Sequence, residues 1–276
     1  MTPFGARLRT ATDARGPLCA GIDPHASLLA SWGLTDDVAG LERFTMTAVE
    51  ALAGEVALVK PQSAFFERHG SGGIAVLERA VRAARELGAL VLLDVKRGDI
   101  GSTAQGYADA YLDPAAPLAS DAITVSPFLG VGSLEPIMVT AEKHGAGVFV
   151  LALTSNPEGP QVQHARTAGG STVAGAVLAA LAARNAGAEP LGSFGAVVGA
   201  TIEGRGLDLA INGPILAPGY GEQGGTTSDI LRIFGAAARH VVASSSRGVL
   251  RLGPDPAAMR DAVLRGNEEL KGLPRA

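Results

Sequence analysis

Eight short apolar runs, each of strand length, recur along the chain and alternate with longer segments of helical periodicity. Most of these runs are apolar throughout rather than at every second position, which is typical of parallel strands covered on both faces. Between them, segments such as 73–87 place Ile74, Leu77 and Val81 on one helical face. The runs lie at 17–23, 55–61, 89–96, 122–128, 147–154, 194–200, 210–219 and 240–246.

This alternation favours a closed (β/α)8 barrel, a TIM barrel, over an open sheet, because about eight βα units follow one another without an obvious linker. A doubly wound open sheet has nearly the same periodicity and stays an alternative. The chain has 276 residues, 47% of them hydrophobic, and a TIM barrel typically needs roughly 250. We expect one domain over residues 1–276, with an N-terminal and a C-terminal helix closing the barrel, although the length also allows two smaller domains.

Charge and cysteine content restrict the partners and the compartment. The formal net charge is −4, so no nucleic-acid partner is expected, because nucleic-acid-binding domains are usually basic. No apolar run reaches the roughly 18–20 residues of a membrane span, and the first residues lack the apolar core of a secretory signal. The single cysteine, Cys19, cannot form an internal disulfide, which suits a reducing cytoplasm.

Charged and polar residues gather where the predicted strands end. Asp23 and Lys60 end the first two strands, and 94–99 contains four charges at the end of the third. The fifth, seventh and eighth strands end in TSNP, APGYGEQGG and SSSRG. Since catalytic groups of TIM barrels lie at the C-terminal ends of the strands, the pattern predicts an active site at this rim.

The third strand carries the densest cluster of charges. Residues two apart on a strand face the same side, so Asp94 and Lys96 should both point into the barrel mouth while Val95 points outward. Lys60 can reach the same space from the adjacent strand, and opposite charges in a partly dry pocket stabilise each other's ionised forms. Asp99 lies up to about 10 Å beyond Lys96 on an extended chain, so we expect it to be available to a neighbouring subunit.

Each of these groups taken alone has a less specific interpretation. An Asp–x–Lys pair at a strand end is often a structural salt bridge, and a single lysine such as Lys60 is often solvated. Residues 97–99 also spell the cell-adhesion motif RGD, which the missing secretory signal disfavours. The convergence of all the groups on one rim favours catalysis.

A second set of residues predicts a phosphate site. Segment 217–229 follows a strand and contains four glycines, which let backbone amides approach an anion, and a helix N-terminus follows. One strand later, Arg247 is a cation that can form two parallel hydrogen bonds with phosphate. The loops after strands seven and eight of TIM barrels often hold a phosphate, whereas a flexible turn and a surface arginine are the alternative interpretation.

The segment LLDVKRGDIGSTAQGYADAYL, at 92–112, resembles the active-site signature of the orotidine 5′-phosphate decarboxylase family, an Asp–x–Lys followed by Asp–Ile. Together with VKPQSAFFE upstream, it resembles the longer bacterial (type 2) branch of that family. The resemblance extends from GIDPH to SSSRG, at 21–25 and 244–248. It implies a homodimeric, metal-free and cofactor-free TIM-barrel enzyme that converts orotidine 5′-phosphate to uridine 5′-phosphate and CO2 in de novo pyrimidine biosynthesis.

The resemblance also implies catalytic roles. Lys96 would stabilise the negative charge left by CO2 and deliver the replacing proton, while the other charged groups hold it in place. Asp99 would be supplied across the dimer interface, together with Ile100 and Thr103. The residues that match the family's charged tetrad are Lys60, Asp94, Lys96 and Asp99.

Further residues match positions that bind the substrate. Asp23 matches a residue that holds the ribose hydroxyls, and Ser155 matches a serine that contacts the pyrimidine. Ser246 stands where the family often has glycine, a departure at one backbone contact to phosphate. The residues that match the phosphate loop and its arginine are Pro218, Gln223 and Arg247.

Two other functions remain open at this point. Sugar-phosphate barrels such as hexulose-phosphate synthase or keto-gulonate-phosphate decarboxylase share the Asp–x–Lys rim, but they use magnesium held by additional carboxylates. No clear set of carboxylates beyond the tetrad stands out in the sequence. A nucleotide-binding regulatory protein on a barrel without catalysis is the alternative outside enzymes, and the intact tetrad disfavours it.

Overall fold

The computed structural model describes residues 1–202, 206–222 and 224–274. Eight parallel strands pair in chain order, and the last pairs with the first, so that the sheet closes into a barrel. The prediction of a (β/α)8 barrel is confirmed, and the open-sheet alternative is wrong. The strands are β1 (Leu18–Ile22), β2 (Leu58–Pro61), β3 (Leu90–Arg97), β4 (Ala122–Val125), β5 (Gly147–Leu153), β6 (Phe194–Val198), β7 (Ile215–Pro218) and β8 (Val241–Ser245).

Helices cover the outside of the barrel, and the helical segment expected at 73–87 corresponds to α5 (Gly70–Glu86). Between β6 and β7, residues 199–202 and 206–214 contain no helix. This stretch is rich in glycine, which disfavours a helix. The α-helices are α1 (Phe4–Arg15), α2 (Ala26–Ser31), α3 (Val38–Leu52), α4 (Ala64–Glu67), α5 (Gly70–Glu86), α6 (Gly101–Leu112), α7 (Glu135–Lys143), α8 (Pro160–Gln163), α9 (Val173–Arg184), α10 (Thr227–Phe234), α11 (Arg247–Leu250) and α12 (Pro256–Glu269). Short 3-10 helices lie at Val131–Leu134, Gly235–His240 and Leu270–Gly272.

Apolar side chains fill the inside of the barrel towards its amino-terminal end. Helix α1 adds Phe4 and Leu8 to this layer, and the Phe4 ring meets Phe149 edge to face at 5.9 Å between centroids. A Cβ atom on Gly147, the first residue of β5, would lie 2.3 Å from the Phe4 ring, so only glycine leaves room for α1 here. Each strand contributes one buried residue to the layer: Cys19, Leu58, Leu92, Ala122, Phe149, Val197, Leu216 and Val242.

The last helix is fixed to the beginning of the barrel. Helix α12 packs against α3 and buries Met259 and Val263. Its Asn267 donates to the Arg15 carbonyl at the end of α1 (2.8 Å) and accepts from the backbone N–H of Leu18 in β1 (2.9 Å). Within the described residues, no helix combines the length and apolar character needed to cross a membrane.

Candidate active site

A cavity of about 310 Å³ opens at the carboxyl-terminal end of the barrel. Its charged residues come from β2 and β3, whereas β5, β6 and β7 contribute mainly apolar ones. Because the strands pair in order, the charged and the apolar walls face each other across the cavity. The lining residues are Lys60, Asp94, Lys96, Thr124, Leu151, Leu153, Thr154, Ser155, Asn156, Val197, Gly199, Leu216 and Pro218.

Asp94 is the centre of the charged wall, and both of its carboxylate oxygens are paired. Oδ2 accepts a hydrogen bond from Lys60 Nζ at 3.1 Å. Oδ1 accepts from Lys96 Nζ at 2.7 Å and from Thr124 Oγ1 at 2.7 Å. Lys60 also lies 3.7 Å from Asp23 Oδ1, at the end of β1. The ends of β1, β2 and β3 therefore bring two cations and two carboxylates together, and β4 adds the Thr124 hydroxyl.

The electrostatics of this cluster favour the ionised forms of its buried members. Burial by itself raises the pKa of Asp94, but the ammonium groups of Lys60 and Lys96 outweigh burial and lower that pKa to about 2. Burial by itself disfavours the charged form of Lys60, but Asp23 and Asp94 raise the pKa of Lys60 above its ordinary value. Lys60 and Asp94 are both buried, whereas the Lys96 side chain is 45% exposed and therefore open to a ligand in the cavity.

The backbone that carries Lys96 is irregular. A regular extended strand is expected here from the sequence, but Lys96 has φ of 45°, in the left-handed region that residues other than glycine rarely adopt. The pairing of β3 with β4 shifts its register between Leu93 and Arg97. The backbone N–H of Lys96 donates to Thr124 Oγ1 at 3.0 Å, so a side chain replaces the usual ladder contact. Val95 packs outward in the core between barrel and helices.

Asp23 adds a buried oxygen without a hydrogen bond at the edge of this cluster. Among the described residues no group donates to its Oδ1, although Lys60 lies nearby. A buried carboxylate oxygen that accepts no hydrogen bond is costly, and a ligand hydroxyl is a donor that would satisfy it.

Asp99, Ile100 and Thr103 do not line the cavity of their own chain. Asp99 Oδ1 accepts from the backbone N–H of Ile100 at 2.8 Å, at the beginning of α6. Ile100 is 61% exposed, and Phe128 in the adjacent loop after β4 is 75% exposed. This part of the rim presents apolar side chains to the surroundings.

The loops after β7 and β8 hold the residues predicted to bind phosphate. Gly219, Gly221 and Gly224 all have positive φ, and the N–H of Gly221 donates to the Gly225 carbonyl at 2.8 Å. The loop is therefore a tight turn that depends on glycine. Arg247 is exposed at the first position of α11.

Three further predicted site residues remain. Pro218 and Ser155 line the cavity, whereas Gln223 lies outside the described residues. Ser246 is packed against β1, because a Cβ atom on Gly21 would lie 2.7 Å from Ser246 Cβ. Its hydroxyl is buried without a hydrogen-bond partner among the described residues.

Thr124 is a site residue that the sequence interpretation missed. It contacts the Asp94 carboxylate and the Lys96 backbone, yet it lies in a segment interpreted only as an apolar strand. The available signal is that Thr124 is the one polar residue of the strand sequence AITV. Among residues 1–202, 206–222 and 224–274, no group of three or more His, Cys, Asp or Glu side chains is arranged to hold a metal ion.

Comparison with known proteins identifies the family. Residues 16–262 match the family Orotidine 5'-phosphate decarboxylase / HUMPS. The chain belongs to this family. The resemblance predicted from residues 92–112 is thereby confirmed, and every site residue predicted from the sequence lies inside the part of the chain that matches the orotidine 5′-phosphate decarboxylase / HUMPS family.

Similar proteins match over nearly their whole lengths. An orotidine 5′-phosphate decarboxylase from Nocardioides sp. is 69% identical over 274 residues, covering 98% of this chain and 100% of that protein. One from Streptomyces coelicolor is 64% identical over 272 residues, covering 98% of each. A crystal structure of a Streptomyces avermitilis protein has a TM-score of 0.97 at 63% identity, covering 98% of this chain and 95% of the other.

Proposed function

We propose that this chain is an orotidine 5′-phosphate decarboxylase, which converts orotidine 5′-phosphate to uridine 5′-phosphate and CO2 in de novo pyrimidine biosynthesis. The observation that carries the proposal is the Lys60–Asp94–Lys96 array at the cavity of a barrel in this family. The relatives of that name at 69% and 64% identity support the same activity.

In the proposed reaction, the bond between C6 of the pyrimidine and its carboxylate breaks and CO2 leaves. The electron pair stays on C6, where it needs a nearby cation, and Lys96 is the charged group most open to the cavity. Its ammonium stabilises the developing charge and then transfers a proton to C6. The neutral amine regains its proton from water, so that atoms and charge balance over the cycle.

Asp94 and Lys60 hold Lys96 in this position. Because the pKa of Asp94 is lowered to about 2, its carboxylate stays ionised at neutral pH and keeps the Lys96 ammonium at 2.7 Å. Asp94 would also lie beside the substrate carboxylate, and repulsion there would raise the free energy of the ground state.

The rest of the nucleotide has candidate partners around the cavity. The apolar wall suits the face of the pyrimidine ring, and Ser155 lies at its edge. The Asp23 oxygen that accepts no hydrogen bond suits a ribose hydroxyl. We assign the phosphate to the loop after β7, with Pro218 and Gln223, and to Arg247. Phosphate binding would close this loop and assist chemistry at the distant ring.

We propose further that the enzyme is a homodimer in which Asp99, Ile100 and Thr103 enter the partner's site. The exposure of Ile100 and Phe128 at the rim supports a protein contact there, and none of the three residues lines the cavity of its own chain.

We also infer that residues 1–276 form one domain, in which α1 and α12 close the barrel. The Asn267 hydrogen bonds to β1 and to the end of α1 support this arrangement. The single cysteine and the biosynthetic role of the family support a place in the cytoplasm.

The deciding experiment is the loss of ultraviolet absorbance of orotidine 5′-phosphate with the purified full-length protein, with and without EDTA. We expect equal turnover in both conditions. Turnover of sugar phosphates that EDTA abolishes would instead favour a magnesium-dependent sugar-phosphate enzyme. Tight binding of uridine 5′-phosphate without any CO2 release would favour a nucleotide-binding regulator.

A further inference from the structure

Arg97 follows Lys96 in the chain, but its side chain does not line the cavity. It turns outward between α4 and α6, where its side chain is 27% exposed. A cation that is largely withdrawn from water needs hydrogen-bond or ionic partners that offset the free-energy cost of its desolvation. Those partners connect three elements of the rim.

The guanidinium of Arg97 makes three hydrogen bonds and two ring contacts. Nη2 donates to Glu67 Oε1 at 2.5 Å and to the Tyr111 hydroxyl at 3.1 Å, while Nη1 donates to the Val95 carbonyl at 3.2 Å. The rings of Tyr107 and Tyr111 lie 5.5 and 5.8 Å from its central carbon, within the range of cation–π attraction. A lysine could not reach these groups together, because it lacks the planar fork.

Glu67 extends this contact to the strand that carries Lys60. It ends α4, which begins three residues after β2, and it accepts a hydrogen bond from Ser63 Oγ at 2.6 Å. The backbone N–H of Ser63 in turn donates to the Asp94 carbonyl at 3.2 Å. The Arg97–Glu67 pair therefore links the segment after Lys60 to the far end of β3.

The bond from Arg97 to Val95 spans the irregular residue between them. Lys96 has its left-handed conformation at this position, and a non-glycine residue keeps such a conformation only where its surroundings hold it. On one side the Arg97 side chain returns to the Val95 carbonyl, and on the other the Arg97 carbonyl accepts from the N–H of Ser126 at 2.8 Å. Both backbone neighbours of Lys96 are thus fixed.

We propose that Arg97 is a positioning residue for the decarboxylation: its contacts with Glu67, Tyr111 and the Val95 carbonyl hold Lys96 in the left-handed conformation that directs its ammonium to Asp94. The inference rests on the proposed function for its effect on rate, whereas its effect on the position of Lys96 is independent of any activity. Arg97 acts through the backbone and touches no substrate.

The test compares Arg97→Met with a matched control. Methionine keeps the apolar bulk against the tyrosine rings but removes the charge and the donors. Arg184→Met is the control, because Arg184 also pairs with two glutamates and lies 5.1 Å from the Phe194 ring, away from the cavity. We expect Arg97→Met to lower kcat by at least about tenfold, since a misplacement of 1 Å can cost about a hundredfold. Arg184→Met should leave kcat unchanged.

The affinity for uridine 5′-phosphate separates misplacement of Lys96 from general damage. Arg97→Met should bind this nucleotide with the wild-type stoichiometry and with a Kd within about threefold, because Arg97 contacts none of the residues proposed to bind the nucleotide. The proposal would be overturned if Arg97→Met kept the wild-type kcat per nucleotide-binding site. Any fall in total activity would then match the fall in the number of binding sites.

Two further variants keep the test valid if Arg97→Met folds poorly. Arg97→Lys retains the charge and should give a kcat between those of the wild type and Arg97→Met. Glu67→Gln weakens the other end of the pair and should lower kcat in the same direction with nucleotide affinity retained. Wild-type kcat in both variants would contradict the proposal.

A crystal structure of Arg97→Met tests the geometry without any assay. We expect Lys96 Nζ to leave hydrogen-bond distance of Asp94 Oδ1, which it contacts at 2.7 Å in the wild type. An unchanged Lys96 in that variant would overturn the inference even if the enzyme proves to be a decarboxylase. A displaced Lys96 in a protein whose wild type does not decarboxylate orotidine 5′-phosphate would instead overturn the proposed function alone.

Discussion

The carboxylate of Asp94 is ionised because of its neighbours and in spite of its burial. It is 7% exposed, and in an apolar site of that kind a carboxyl group would take up a proton near neutral pH. Two ammonium groups and a hydroxyl occupy its oxygens instead. Removing one cation therefore changes the charge balance of the whole cluster.

Lys96→Ala tests the residue proposed to deliver the proton. We expect kcat to fall by at least about a thousandfold, because both the charge stabilisation and the general acid are lost. Binding of uridine 5′-phosphate, followed by calorimetry, should remain detectable, since the proposed phosphate and ribose contacts involve other residues. Decarboxylation near the wild-type rate would count decisively against the assignment.

At the scale of elements, the amino-terminal end of the barrel depends on one helix. Phe4 of α1 is fully buried against Phe149, and Gly147 provides the space for its ring. The other buried residues of helix α1 are Gly5 and Leu8, so the Phe4 ring accounts for much of the apolar surface that the helix buries.

Phe4→Ala is expected to destabilise the protein by about 3–5 kcal/mol, the usual cost of removing a buried phenylalanine ring. The control is Leu264→Ala, because Leu264 is 51% exposed on α12 and its removal should change stability by less than about 1 kcal/mol. Urea unfolding followed by circular dichroism measures both. Equal stability of the two variants would show that the buried Phe4 ring contributes little to the stability of the fold.

At the scale of the whole molecule, the seam between α1 and the 3-10 helix before β8 should respond to pH. His240 is buried there, with Arg9 Nη2 at 3.1 Å from its Nδ1 and Arg239 Nε donating to its Nε2 at 3.1 Å. Burial, Arg239 and Arg9 together lower the pKa of His240 from 6.5 to about 4. Asp13 lies on the far side of Arg9, 3.6 Å from that guanidinium.

Stability should therefore fall as the pH drops from 6.5 towards 4. In this window the unfolded chain binds a proton at His240 that the folded protein does not, which costs up to about 3 kcal/mol at the acid end. His240→Gln should reduce the slope of the free energy of unfolding against pH by the equivalent of about one bound proton. The same slope in wild type and variant would rule out this residue as the cause.

The proposed dimer predicts complementation between two inactive variants. Asp99→Ala lacks the group donated to the partner, and Lys96→Ala lacks the group in its own site. In a mixed dimer one site has both residues intact, so random exchange of subunits should restore roughly a quarter of the wild-type activity. No recovery, despite subunit exchange shown by mass spectrometry, would mean that Asp99 acts within its own chain or not at all.

Much of this architecture could be predicted from local pattern. The eight apolar runs correspond to β1–β8, because strands buried on both faces must be apolar along their length. The placement of Lys60, Asp94 and Lys96 at strand ends also follows from the order of residues. Thr124 was missed, since a threonine in a strand has no chemical signature until Asp94 lies beside it.

The amino-acid sequence by itself determined the succession of strands and helices and the residue types at the carboxyl end of each strand, because periodicity and composition act over a few residues. Only the tertiary structure decided the left-handed backbone at Lys96, the outward direction of Arg97 and the pairing of both Asp94 oxygens. These depend on groups from β2, β4, α4 and α6, which are distant in the chain and become neighbours only when the barrel closes.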